Sequence, residues 1–117
     1  IAILMGEGGS GGAIALAVAN EVWMMEYAIY SILSPEGFAS ILWKDSSKAE
    51  QASELMKFTS KELLEEGIVD KIILEKNRSF KKIATDLQTS LLESLKEWRT
   101  KSKEELVSQR LERFRKF

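Results

Sequence analysis

Five of the seven glycines in this chain fall within one stretch, Gly6-Glu7-Gly8-Gly9-Ser10-Gly11-Gly12. An apolar run at 1–5 leads in, and a run of small apolar residues at 13–19 leads out. Glycine reaches positive φ and lets a backbone or ligand come close, at a cost in conformational entropy. So dense a cluster predicts a strand, a turn and a helix, with backbone N–H groups holding an anion or an oxyanion. Three chemistries fit it. Gly6-x-Gly8-x-x-Gly11 has dinucleotide-binding spacing, and Glu26 lies about 20 residues on, where a ribose-binding acid belongs. Gly8-x-Ser10-x-Gly12 has the spacing of a nucleophile elbow, with Ser10 as nucleophile. The third is a site of backbone donors alone, where Gly11, Gly12 and Ala13 at a helix start stabilise a developing oxyanion.

The sequence has no histidine and no cysteine. This removes the commonest general base and metal ligand, together with thiolate chemistry and any disulfide framework. Ser10 therefore has no activating histidine within the chain. No lysine follows the glycines, so the stretch is not a P-loop. No metal site is expected. A site of backbone donors needs no side-chain base at all.

The elements that must position this stretch follow in order. A buried strand is expected at 1–5, a short helix from about 12 to 19 with Asn20 as a left-handed stop, and a second buried strand at 22–25. Residues 27–33 read as a further extended run. Ser34-Pro35-Glu36 is a strong helix start, with Ser as N-cap, Pro in the first turn and an acid beside the dipole. There Glu36 reads as a helix-start acid rather than an acid–base catalyst, and Phe38 and Trp43 as core or interface. Ser47 to Glu50 and Thr59 to Glu62 read as capping boxes, the second helix stopping at Gly67. Residues 68–74 form a short strand. A long amphipathic helix with Ile83, Leu87, Leu91, Leu95 and Trp98 follows, then a last helix opened by the Ser102 to Glu105 box. We divide the chain into a core, 1–75, and a helical tail, 76–117, that packs on the core or on a partner subunit.

With 44% hydrophobic and 30% charged residues and a net charge of −1, the chain reads as soluble and globular, one domain or part of one. Near-neutral charge gives no reason to expect nucleic acid or an anionic membrane as the main partner. The apolar runs fall short of the ~20 residues of a membrane span, and no charged n-region marks a signal peptide. The chain opens on Ile1 inside an apolar run. It is expected to be a fragment or processed product whose missing strands lie upstream.

Three motifs together carry a resemblance. Gly6-Glu7-Gly8-Gly9-Ser10-Gly11-Gly12-Ala13, then Tyr30-Ser31-Ile32-Leu33-Ser34-Pro35-Glu36-Gly37, then Ala39-Ser40-Ile41-Leu42-Trp43-Lys44-Asp45 resemble the α subunits of bacterial and plastid acetyl-CoA carboxylase carboxyltransferases. Gly67 to Ile73 and the terminal Arg110-Leu111-Glu112-Arg113-Phe114-Arg115 are similar to the same family. Leu74-Glu75-Lys76-Asn77-Arg78 departs from it, standing where the family often has a proline and a glycine-rich loop with a histidine.

The resemblance implies an α/β fold of the crotonase (ClpP-like) superfamily, a superhelix of ββα units, with this chain its C-terminal part and an α-helical tail. It implies a carboxyl transfer from carboxybiotin, borne on the biotin carboxyl carrier protein, to acetyl-CoA, giving malonyl-CoA for fatty-acid synthesis. The implied partners are a β subunit in an α2β2 assembly, the carrier protein and biotin carboxylase, in the cytoplasm or plastid stroma. Aligned on the family's Gly-Gly-Ala turn, the Gly12 and Ala13 amides face the ureido oxygen of biotin, and Gly8, Gly9, Ser10 and Gly11 form the biotin-facing turn. The cofactor itself can take the proton from the acetyl methyl, which accounts for a reaction site in a chain without histidine. A dinucleotide-binding module and a non-catalytic crotonase-fold scaffold are the alternatives.

Overall fold

The computed structural model describes all of residues 1–117. Two ββα units lead the chain: β1 (Ala2–Leu4), β2 (Glu7–Gly9) and α1 (Ser10–Ala17), then β3 (Val22–Met25), β4 (Ile29–Ser31) and α2 (Pro35–Trp43). A 3-10 turn (Ser46–Lys48), α3 (Ala49–Leu55), α4 (Ser60–Glu65) and β5 (Lys71–Ile73) follow, and then the tail helices α5 (Phe80–Trp98) and α6 (Lys103–Phe114).

Each unit divides its two strands between two sheets. β1, β3 and β5 form a parallel sheet in the order β1-β3-β5, with Ile3 opposite Trp23 and Met24 opposite Ile72. β2 and β4 form a second parallel sheet, with Gly8 opposite Tyr30. The central β3 is apolar at every position because both of its faces are covered; Val22, Trp23, Met24 and Met25 are all buried. Around it pack Leu4, Ala28, Leu63, Val69 and Ile73, with Ile83, Leu87 and Leu91 of the tail half-buried against them. Ser60, the one buried polar residue, donates its hydroxyl to the Glu26 carbonyl at 2.7 Å.

The helix starts follow the sequence where one cap dominates. Ser34, Ser79 and Ser102 hydroxyls accept from the Gly37, Lys82 and Glu105 amides at 3.2, 3.3 and 3.1 Å. Thr59 and Ser102 also close the expected boxes, their own N–H groups donating to Glu62 and Glu105. Gly67 stops α4 at φ +71°, and the Ile68 and Val69 amides turn back to the Leu63 carbonyl.

Four expectations are corrected. The glycine stretch is not one turn: Glu7–Gly9 is a strand, held by β4, and the helix begins at Ser10 rather than Gly12. Asn20 is not a left-handed stop, since α1 ends at Ala17 and the Asn20 amide instead donates to the Leu106 carbonyl of the tail at 2.6 Å. Ser47 caps nothing; Asp45 takes that role, accepting from the Ser47 N–H at 3.0 Å and hydroxyl at 2.6 Å to start the 3-10 turn. Of the extended run 27–33 only Ile29–Ser31 is strand.

The divergent segment after β5 has its own fastening. The Glu26 carboxylate accepts from the Glu75 and Lys76 amides, each at 2.8 Å, and the Glu75 carboxylate accepts from the Tyr27 amide at 2.9 Å. Two backbone corners thus exchange carboxylates across the ends of β3 and β5.

Candidate functional site

The glycines do not serve the purpose their type suggests. None of the five in residues 6–12 has a positive φ; the residue of that stretch in the left-handed region is Ser10, at φ 55°. Gly8 has a packing reason, since a Cβ there would stand 2.7 Å from Leu4 Cδ2 and 3.4 Å from the Tyr30 ring. Gly6, Gly11 and Gly12 have none within the chain, for a Cβ at each meets nothing within 4 Å. The backbone at these three positions is open to a group approaching from outside.

What approaches would meet uncapped amides. Gly9 is the N-cap of α1, with no side-chain cap and no acid in the first turn. α2, α4, α5 and α6 all start under a Ser or Thr. In a helix capped at Gly9 the amides of Ser10, Gly11 and Gly12 have no intrahelical acceptor, and they carry the positive end of the helix dipole. Ala13, one position further, is 1% exposed, whereas Gly11 and Gly12 are exposed.

The other residues read from the sequence lie around a neighbouring hollow. Gly8, Gly9 and Ser10 line a cavity of about 390 Å³ with Glu7, Ser31, Ser34 and an apolar wall of Ile29, Ile32, Leu33, Pro35, Met56 and Phe58. Gly11, Gly12 and Ala13 are not among its walls. The only titratable group of the cavity is Glu7, so Ser10, although its positive φ suits an elbow, has no basic side chain beside it. No cluster of three or more acidic side chains with the spacing of a metal site is present.

Tyr30 is a site neighbour that the residue patterns did not single out. Its place opposite Gly8, which lacks a side chain, lets its ring lie across the β2 backbone, and its hydroxyl donates to the Ala13 carbonyl at 3.4 Å. Burial raises the Tyr30 pKa, which keeps the phenol a donor at neutral pH. The cause of this crossing is register, which the structure shows and the sequence does not: Tyr30 stands opposite a residue without a side chain.

Two acids are withdrawn from chemistry. Glu26 accepts from the Lys76 and Glu75 amides, which lower its pKa, so it is a structural carboxylate and not a free ribose ligand. Glu36 is held low first by its own backbone amide and then by Ser34, as befits a helix-start acid. Phe38 and Trp43 meet edge to face at 6.3 Å, packing on each other.

Comparison with known proteins agrees with the geometry. The family described as acetyl co-enzyme A carboxylase carboxyltransferase-like matches residues 1–117. Over all 117 residues the chain is 59% identical to the acetyl-coenzyme A carboxylase carboxyl transferase subunit alpha of Streptococcus gordonii, and 57% to that of Streptococcus thermophilus. It spans about half the length of these curated relatives, 46% of each. A crystal structure of transcarboxylase 12S, a hexamer assembly with methylmalonyl-coenzyme A and methylmalonic acid bound, superposes with a TM-score of 0.68 at 20% identity. That match covers 86% of this chain and 20% of the other. It establishes the fold: mixed α/β, of the crotonase type. The doubly wound sheet that a dinucleotide-binding module requires is not the architecture found.

Proposed function

The chain belongs to the acetyl co-enzyme A carboxylase carboxyltransferase-like family, and on that premise we propose that it is the part of a carboxyltransferase α subunit that carries an oxyanion site. The reaction is carboxyl transfer from carboxybiotin, delivered on the biotin carboxyl carrier protein, to acetyl-CoA. Malonyl-CoA is the product, in fatty-acid synthesis. The partners are a β subunit in an α2β2 assembly, the carrier protein and biotin carboxylase, in the cytoplasm or plastid stroma. The observation that carries this reading is the start of α1, uncapped and flanked by glycines for which the chain itself has no steric use.

Carboxybiotin, when bound, supplies the carboxyl group and a ureido oxygen that gains negative charge as that group leaves. The residues present fit it. On the resemblance to the family's Gly-Gly-Ala turn, Gly12 and Ala13 would be the facing amides, while the register of α1 leaves Ser10, Gly11 and Gly12 free of intrahelical acceptors. Gly12 belongs to both sets, so its N–H is the donor on which the proposal rests. No neighbouring atom crowds Gly11 or Gly12, and their amides would hold the ureido oxygen. Gly8, Gly9 and Ser10 line the neighbouring cavity, whose wall of Ile29, Ile32, Leu33 and Phe58 offers an apolar surface beside the start of α1.

The test uses the full-length subunit reconstituted with its β partner, assayed for biotin-dependent decarboxylation of malonyl-CoA. Gly12→Pro deletes one N–H at a first-turn position that proline tolerates. Loss of a single oxyanion donor lowers kcat by about 10²–10³. Undiminished turnover in a folded Gly12→Pro complex overturns the assignment.

A further inference from the structure

Helix α1 is apolar on every side, yet Ile14, Leu16 and Val18 are 52, 54 and 56% exposed, and Ala13 is its one buried residue. Lateral packing within the chain therefore does little to fix it. Its ties are at the ends. At the front, β2 runs directly into it and Tyr30 reaches the Ala13 carbonyl. At the back, the short loop 18–21 is held by both helices of the tail.

That hold is polar and long in sequence. The Asn20 side-chain amide donates to Leu106 O of α6 at 2.6 Å, and Arg113 donates to Asn20 O at 3.5 Å. The Glu21 carboxylate takes two indole N–H groups, one oxygen for Trp98 of α5 at 3.1 Å and the other for Trp23 at 2.7 Å. Arg113, its side chain only 11% exposed, also pairs with Asp70 and donates to the Ile68 carbonyl. Asp70 in turn accepts from the Val22 amide at 2.7 Å, at the end of the same loop. The guanidinium fork thus joins α6 to the loops that enter β3 and β5.

We infer that the tail positions the site: Trp98, Leu106 and Arg113 grip the loop behind α1 and thereby set the direction in which its first-turn amides point. The inference rests on the carboxyltransferase reading of α1. Arg113 and Trp98 are positioning residues and touch no substrate. The lever is short. Eight residues make a helix about 12 Å long, so a tilt of about 5° at the loop moves the first turn by about 1 Å. Misplacement of that size lowers turnover by up to about 10²-fold.

The experiment compares Arg113→Met and Trp98→Phe in the full-length subunit bound to its β partner. Hydrogen exchange is followed in α1, β3 and β5, and kcat and KM for malonyl-CoA are measured on the same samples. Trp98→Phe keeps an aromatic side chain but loses the pyrrole half of the indole with its N–H to Glu21, so it remains informative where Arg113→Met folds poorly. The expected result is exchange about five- to tenfold faster in α1 with a smaller rise in β3 and β5, kcat lower by about tenfold or more, and KM within about twofold. Unchanged exchange in α1, an equal rise in β3 and β5, or faster exchange in α1 with undiminished kcat would each overturn the inference. If the wild-type complex transfers no carboxyl group, the carboxyltransferase reading fails, while the exchange data still decide whether the tail holds α1.

Discussion

Replacing Gly12 by alanine should make the subunit more stable and less active at once. Gly12 is the third residue of α1, its φ is outside the left-handed region, and an added Cβ meets no atom within 4 Å. Alanine is better than glycine by about 0.8–1.0 kcal/mol in a helix interior. At compatible sites the gain through the unfolded state is about 0.4–1 kcal/mol. For a first-turn position we expect the lower part of that range, about 0.5 kcal/mol. That corresponds to a rise of about 1–2 °C in Tm for a subunit about twice the length of this chain. The N–H is retained, but the methyl stands in the space through which an acceptor must pass to reach it. A donor of this kind is worth about 2.7–4 kcal/mol. Lengthening its bond without deleting it should lower kcat by about tenfold. Thermal unfolding of the isolated subunit by circular dichroism, and carboxyl transfer in the reconstituted complex, measure the two effects. A raised Tm with unaltered kcat would show that the glycine is not there to admit a ligand. A lowered Tm would refute the structural premise that nothing in the chain needs Gly12.

Ser10→Gly should also stabilise, because an L-residue in the left-handed region costs about 1–2 kcal/mol, offset by about 0.5–1 kcal/mol of glycine entropy; the urea midpoint should rise with the m-value unchanged. Glu26 has a folded-state pKa below its ordinary value of 4.5, held down by the Lys76 and Glu75 amides. Its contribution is therefore complete above that value and is lost as pH falls through the folded pKa. Glu26→Gln should flatten the acid limb of a stability–pH curve below about pH 4.5 and leave the neutral region nearly parallel to wild type. Met24→Ala, at a fully buried position of the central strand, should lower stability by about 2–5 kcal/mol in denaturant titration.

Local chemistry was legible and long-range pairing was not. Ser34 with Pro35, and the boxes at Thr59 and Ser102, are decided within four residues, and the structure follows them. At 45–50 two caps compete, and Asp45 wins because its carboxylate accepts from both groups of Ser47. The glycine stretch carries no hydrophobic period, so nothing local shows where its strand ends and its helix begins. That division is set by pairing with Ile29–Ser31, more than twenty residues away. The spacing of glycines pointed to the candidate site by an argument from positive φ that the backbone does not support; open space, visible only in three dimensions, is the property that Gly6, Gly11 and Gly12 share. The bonds that join Asn20 and Glu21 to the tail span 77 to 93 positions, beyond the reach of any local pattern.

The division of each ββα unit between two sheets also governs which changes in chain length the fold can absorb. Only Met5 and Gly6 separate β1 from β2, and only residues 26–28 separate β3 from β4. Because side chains alternate along a strand, inserting one residue at either corner would throw one sheet out of phase with the other and disturb the packing of Trp23 and Met24 on the two faces of β3. The two sheets are geared together at these corners. The segment between β5 and α5 bears no such constraint: it ends one sheet and begins a helix, and its fastening to Glu26 uses backbone amides that any residue but proline can provide. Insertions and deletions among related chains should therefore collect there and be absent from the corners.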